Sequence, residues 1–205
     1  VIDYGLGNLA SVINTLGKLS IPAKISANPD EIQKASALIL PGVGAAGEGM
    51  HNLTKSGLDR VVKEEIKRGK KLLGICLGMQ LLFEQSEEGN VACLGILKGD
   101  VRKFQKERKV PQIGWNNVKL KMKNEKLKIV EGIPDESYFY FVNSYYCMLK
   151  DNAIIIGESE YGEVFPSIIA TENIVATQFH PEKSGRVGMQ LLKNFAEVIS
   201  EKGNV

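Results

Sequence analysis

Residues 72–80 read LLGICLGMQ and set Cys76 between Gly74 and Gly78, where an apolar run meets helical spacing. A strand that delivers a side chain at the end of a sheet and turns at once into a helix needs a strained residue at the turn and small neighbours around it. The glycine frame meets that need, which makes Cys76 a candidate nucleophile. At such a turn the free N–H groups of the helix start favour thiolate over thiol, and the N–H of Leu77 is placed to donate to a developing oxyanion. Cys93 and Cys147 lack the frame and read as small apolar core residues.

A cysteine nucleophile needs a base, and the chain has two histidines. His51 has no carboxylate in a fixed relation to it and reads as a surface residue. His180 ends the run IVATQFHPE. Pro181 biases it toward an extended conformation, and an extended Glu182 would project from the same side as His180. That carboxylate could hold the ring N–H and support the imidazolium after proton transfer. A tetrahedral oxyanion usually needs two donors, and PGVG at 41–44 offers main-chain N–H groups from Val43 and Gly44, while Gly42 lets the backbone approach a substrate.

Two glycine stretches suggest a different chemistry. Residues 5–10 read GLGNLA and residues 42–47 read GVGAAG, both matching dinucleotide-binding patterns. Such a site also needs an acid near the end of the second strand to hold the ribose hydroxyls. Here that region reads KISAN and the nearest acid, Asp30, lies beyond Pro29. A dinucleotide-binding module is therefore the weaker alternative, and no cofactor or metal site is expected.

The elements that must hold these groups follow from periodicity. Residues 1–4, 23–26, 37–40 and 71–76 read as strands. Leu9, Val12, Ile13 and Leu16 share one helical face, as do Leu58, Val61, Val62 and Ile66 in a helix ending at Gly69. A helix is expected over 77–84. This β/α alternation predicts an α/β fold with a mostly parallel central sheet and helices on both faces. After Val91 come short strand-like runs at 114–120, 138–141, 153–156, 168–171 and 174–179, predicting an antiparallel or mixed extension. Val187, Leu191, Leu192, Phe195, Val198 and Ile199 mark a last helix, and a single domain spans residues 1–205.

Composition bounds the partners. Twenty-six basic against 24 acidic residues give a net charge of +2, no reason to expect nucleic acid or an anionic membrane. Two lysine-rich stretches, at 102–109 and 119–128, lack interleaved stacking groups and read as solvated faces. Three cysteines without framework spacing fit a reducing, cytoplasmic setting. There is no secretory or membrane-spanning segment in the sequence, and the start at Val1 suggests that residues precede it.

Taken in order, PGVG at 41–44, GICLGMQ at 74–80 and HPEKSG at 180–185 resemble the triad-type, class I glutamine amidotransferases. DYGLGN at 3–8, PQIGWN at 111–116 and FVNSYY at 141–146 are similar to the branch formed by glutaminase subunits of imidazole glycerol phosphate synthases. Gln112 and Asn143 depart from that pattern, where members often carry histidine. The resemblance implies that Cys76 attacks the side-chain amide of glutamine, His180 shuttles the proton to the leaving ammonia and Glu182 orients His180. It implies a substrate pocket holding Gly42, Gln80, Glu88, Ser144 and Tyr145, an oxyanion hole from Leu77, Val43 and Gly44, and no cofactor. It also implies a heterodimer with a (β/α)8-barrel cyclase that uses the ammonia in histidine biosynthesis, and the expectation that follows is that the partner sets the N–H orientation of the loop at 42–44. A glutaminase of the same class serving pyridoxal, purine or tryptophan synthesis would share the catalytic residues and is the alternative.

Overall fold

The computed structural model describes residues 1–105, 109–121 and 128–200. Along the chain come α1 (Leu9–Lys18), α2 (Pro29–Lys34), β1 (Ala37–Leu40), α3 (Ala46–Ser56), α4 (Leu58–Lys67), β2 (Lys71–Ile75) and α5 (Leu77–Gln80). There follow β3 (Gln85–Ser86), β4 (Val91–Ala92), β5 (Gly99–Lys103), β6 (Gln112–Leu120), β7 (Ser137–Asn143) and β8 (Tyr145–Leu149). The last are β9 (Ile155–Glu160), β10 (Val164–Ala170), β11 (Ile174–Thr177) and α6 (Gly185–Ser200).

Among the described residues, a seven-stranded sheet runs β1-β2-β11-β10-β9-β6-β7. β1, β2 and β11 pair in parallel, and the strands beyond them pair antiparallel. The expected parallel sheet with its antiparallel extension is thus one mixed sheet. Alternate residues of β2 enter different cores: Leu72 faces the cluster that holds Met50, Leu53 and Val62 of α3 and α4. Leu73 and Ile75 face the cluster that holds Val12 and Leu16 of α1 and Leu191 and Phe195 of α6. Helices therefore cover both faces, as the near-continuous apolar strand sequences require.

Local sequence explains most elements. Asn8 caps α1 by accepting from the Ser11 N–H, and Gly69 follows α4 at φ 86, the left-handed conformation that closes helices. The strands expected at 1–4 and 23–26 meet as a single parallel bridge, Ile2 to Ser26. The helix expected over 77–84 stops at Gln80, because Leu82 and Phe83 bond only three residues back while the chain turns toward β3. A second, four-stranded sheet, β4-β3-β5-β8, was not anticipated. Of the lysine-rich stretches, residues 106–108 and 122–127 lie outside the described residues, and Arg102, Lys103 and Lys119 are exposed as solvated faces require. Among the described residues no helix is long and apolar enough to cross a membrane, and no cluster of metal-ligating side chains occurs.

Candidate active site

Cys76 sits between β2 and α5 at φ 54, ψ −109, a conformation that a non-glycine residue holds only when its surroundings compel it. The surroundings do. A Cβ at Gly78 would run into the Leu40 carbonyl oxygen and stand 2.8 Å from the Leu40 carbonyl carbon. One at Gly74 would lie 3.1 Å from the backbone of Gly78 and Met79. The two glycines let the end of β1 and the first turn of α5 close on the elbow. The N–H of Cys76 donates to the Thr177 carbonyl at 2.8 Å, fastening the turn to β11.

The loop at 41–44 presses on the same place. The Tyr4 hydroxyl donates to the Pro41 carbonyl at 2.8 Å, and a Cβ at Gly42 would meet that hydroxyl and stand 2.8 Å from the Leu77 Cβ. Gly42 is therefore buried packing beneath the loop, while Val43 and Gly44 reach the cavity above it. Gly44 lies at φ 106, a region that glycine adopts freely. Leu77 opens α5, where its N–H has no carbonyl one turn back to receive it.

His180 is placed by the sheet beyond β11. Phe179 is fully buried, stacks on Phe139 at 4.0 Å between ring centres and meets Phe141 edge-on at 5.5 Å. The His180 N–H donates to the Tyr140 carbonyl at 2.9 Å, and the Ser184 hydroxyl donates to the His180 carbonyl at 2.6 Å. The ring Nδ1 lies 2.9 Å from Glu182 Oε1, with both side chains almost fully buried. The carboxylate arrives by a different route from the one expected. Residues Pro181–Lys183 form a 3-10 turn, so Glu182 folds back onto the ring instead of following it along an extended strand. Burial works against charge on the imidazole, but hydrogen bonds with Cys76 and Glu182, and their charges, outweigh it and raise its pKa to about 10. Charge on the ring is thus favoured by its surroundings, with the carboxylate bonded on one side and Cys76 sharing the cavity on the other, its Sγ 3.7 Å from the Val142 carbonyl.

A cavity of about 240 Å³ opens over these groups. Of the residues singled out in the sequence, Val43, Gly44, Cys76, Leu77, Gln80, Glu88, Ser144, Tyr145 and His180 line it, whereas Gly42 and Glu182 stand behind the lining. Glu88 Oε2 accepts from the N–H of Ala46, the first residue of α3, at 2.8 Å. Burial, then the charges of Glu88 and Glu87, holds the Tyr145 hydroxyl above its ordinary range, and Tyr145 and Glu88 line the same cavity. Gln80 has both amide hydrogens engaged, to the Tyr145 carbonyl and to Gln178 Oε1, each at 3.0 Å. His51 is exposed and Cys93 and Cys147 are buried, as expected. Burial pushes the Cys93 thiol up to about 11 and the Cys147 thiol well above its usual range. A slightly larger cavity, about 270 Å³ at the N-terminal end of β1, contains neither cysteine nor histidine.

The sequence does not single out Gln178 or Lys183, and it marks Asn143 only as a departure from the family pattern. Gln178 is fully buried and its Nε2 stands 3.7 Å from Cys76 Sγ. Its spacing of two from His180 was the available signal, because alternate residues of an extended segment face the same way. Asn143 and Lys183 line the cavity.

A cysteine elbow joined to an imidazole and a carboxylate, on a mixed sheet covered by helices, defines a class, and the comparisons agree. The model of the family "Glutamine amidotransferase class-I" matches residues 1–199, and the chain belongs to that family. Within it, the chain is 48% identical over 196 residues to a protein of Dehalococcoides mccartyi named imidazole glycerol phosphate synthase subunit HisH, covering 95% of this chain and 94% of that one. It is 45% identical over 205 residues to the protein of that name from Herpetosiphon aurantiacus, covering 100% and 96%. Among solved structures, a glutamine amidotransferase matches with a TM-score of 0.76 at 19% identity, covering 97% of each chain. PurLQS from Thermotoga maritima matches with a TM-score of 0.75 at 15% identity, covering 96% of this chain and 95% of that one. These last two share the fold.

Proposed function

We propose that the chain is the glutaminase subunit of imidazole glycerol phosphate synthase, hydrolysing glutamine at Cys76 and delivering the ammonia to a cyclase subunit in histidine biosynthesis. The observation that carries the chemistry is the strained Cys76 sharing one cavity with His180, whose ring Glu182 holds at 2.9 Å. Identity of 45–48% over nearly the whole chain to proteins named HisH supports the pathway.

The thiolate attacks the side-chain amide carbon of glutamine, and the carbonyl oxygen takes up the negative charge. The N–H of Leu77 and those of Val43 and Gly44 are the donors that stabilise it. As the C–N bond breaks, the imidazolium gives its proton to the nitrogen, which leaves as ammonia, and a thioester remains. Water then attacks the thioester while neutral His180 takes its proton. The C–S bond breaks, the thiolate and imidazolium return, and glutamate departs after releasing a proton to solvent. Glu182 fixes the ring and balances its charge throughout. Glu88 faces the ammonium end of the substrate, with Gln80, Ser144 and Tyr145 around the rest.

Ammonia freed into neutral water is protonated and loses its lone pair, so the reaction is useful only beside an acceptor. Large apolar side chains crowd one exposed surface: Ile113 and Trp115 of β6, Tyr138 of β7 and Val164 of β10. Such surfaces mark interaction sites. This one continues to the cavity, because Trp115 meets Tyr140 edge-on at 6.0 Å and the Lys183 Nζ lies 5.9 Å from the Tyr140 ring centre. The cyclase subunit, for which the sequence resemblance implies a (β/α)8 barrel, docks here. Mixed with that subunit, the chain releases glutamate from glutamine, and Cys76→Ala lowers release by at least about 10,000-fold while the complex still forms. Undiminished turnover by the variant would overturn the assignment.

A further inference from the structure

The site holds one more group against the sulfur. Gln178 follows β11, and because Thr177 of β11 pairs with Ile75 of β2, its side chain lies next to Cys76. It is fully buried, a position a carboxamide keeps only when its polar ends are bonded. The direction of its amide is fixed by a chain of contacts that ends on the backbone. The Tyr145 carbonyl can only accept, so Gln80 presents its NH2 there, at 3.0 Å. The same NH2 lies 3.0 Å from the end of Gln178, which must therefore present its oxygen. The Gln178 NH2 is left facing Cys76 Sγ at 3.7 Å.

We propose that Gln178 is a further catalytic residue, a non-titrating donor that stabilises the Cys76 thiolate. It rests on the reading of Cys76 as nucleophile. In the resting site the sulfur accepts from Gln178 at 3.7 Å and lies 3.7 Å from the Val142 carbonyl, to which the thiol form donates. Once His180 has passed its proton to the departing ammonia, the ring is neutral, and the carboxamide alone keeps its donor unchanged. When the second tetrahedral intermediate collapses, the C–S bond breaks and its electron pair returns to sulfur, where Gln178 receives the charge. Hydrolysis of the thioester consequently depends on it.

The test uses the full chain in complex with the cyclase subunit and compares Gln178→Met with Gln178→Glu. Methionine removes the donor. Glutamate keeps the shape and can still accept from Gln80, but it sets a negative charge against the sulfur. We expect Gln178→Met to lower kcat about 10- to 100-fold with KM little changed, to accumulate the γ-glutamyl thioester seen by mass spectrometry of quenched enzyme, and to move the pH midpoint of iodoacetamide alkylation at Cys76 upward by about one unit. Gln178→Glu should shift that midpoint further than Gln178→Met. A purely structural role ranks the two in the opposite order, and that ranking, or an unshifted profile in both, would overturn the proposal. Should neither variant fold, the unsubstituted complex still decides. The side-chain NH2 resonances of Gln178 should titrate with the alkylation midpoint, and resonances that stay flat across it reject the contact. Failure of the unsubstituted complex to release glutamate would instead remove the underlying reading of Cys76.

Discussion

Two sides of one cavity are built differently. On one side, the ends of β1, β2 and β11 hold Cys76 and His180 in a closely packed region, where a methyl group added at Gly42, Gly74 or Gly78 would crowd its neighbours. On the other, the outer face of β6 and β7 presents Ile113, Trp115 and Tyr138 to solvent, more than half exposed. The first region fixes positions through backbone contacts and tolerates no added volume. The second offers side-chain area and leaves its backbone paired in an ordinary antiparallel ladder. Chemistry depends on where a sulfur and a ring sit to within fractions of an ångström, whereas association depends on area that is still uncovered.

Substitutions on the two sides should separate these properties. The largest effect is expected from Glu182→Gln, which should lower kcat about 1,000-fold at saturating partner without changing affinity for it; equal losses in both would erase the contrast. The same variant carries a pH signature. In the fold His180 titrates at about 10 against an ordinary 6.5, so the stabilisation its pairing supplies is complete below about pH 6.5 and is lost as pH rises through about 10. Thermal melts across that window should decline less steeply for Glu182→Gln than for the unsubstituted chain. Next comes Gly78→Ala, which forces a carbon against the Leu40 carbonyl and should cost about 3 kcal/mol in urea unfolding. A neutral result there would mean that the elbow has room to yield. The smallest is Trp115→Ala, expected to weaken association with the cyclase subunit about 10- to 30-fold by titration calorimetry, with stability changed by no more than about 0.5 kcal/mol and full turnover restored at excess partner.

The elbow was legible because its requirement for small neighbours is written as glycines within two residues of the cysteine. Helices α1, α4 and α6 were legible because their apolar faces repeat at helical spacing. Helix α3 was not, since AGEGMHNLTKS carries too few apolar residues for a clear stripe and its start was read as a glycine loop. Helix α2 was not legible although Asn28 caps it and Pro29 opens it, because its six residues bury only Ile32 and make no apolar stripe. The two-residue strands β3 and β4 are too short for any period, and they exist because β5 and β8 provide the ladder they join. In the site, the pairing of His180 with Glu182 was anticipated but its 3-10 geometry was not, because the extended bias that Pro181 gives His180 does not extend past the proline. Gln178 acquires its orientation from Gln80 and Tyr145, which are far away along the chain.

The close crossing of Gly78 over Leu40 constrains how this molecule can be adjusted. To displace the sulfur would mean prising neighbouring strands apart, a deformation too costly for ordinary tuning. The room for change lies across the opening, at the exposed Val43 and Gly44. Selection for a faster, slower or better governed catalyst would therefore leave its mark on those walls while the sulfur stays where it is.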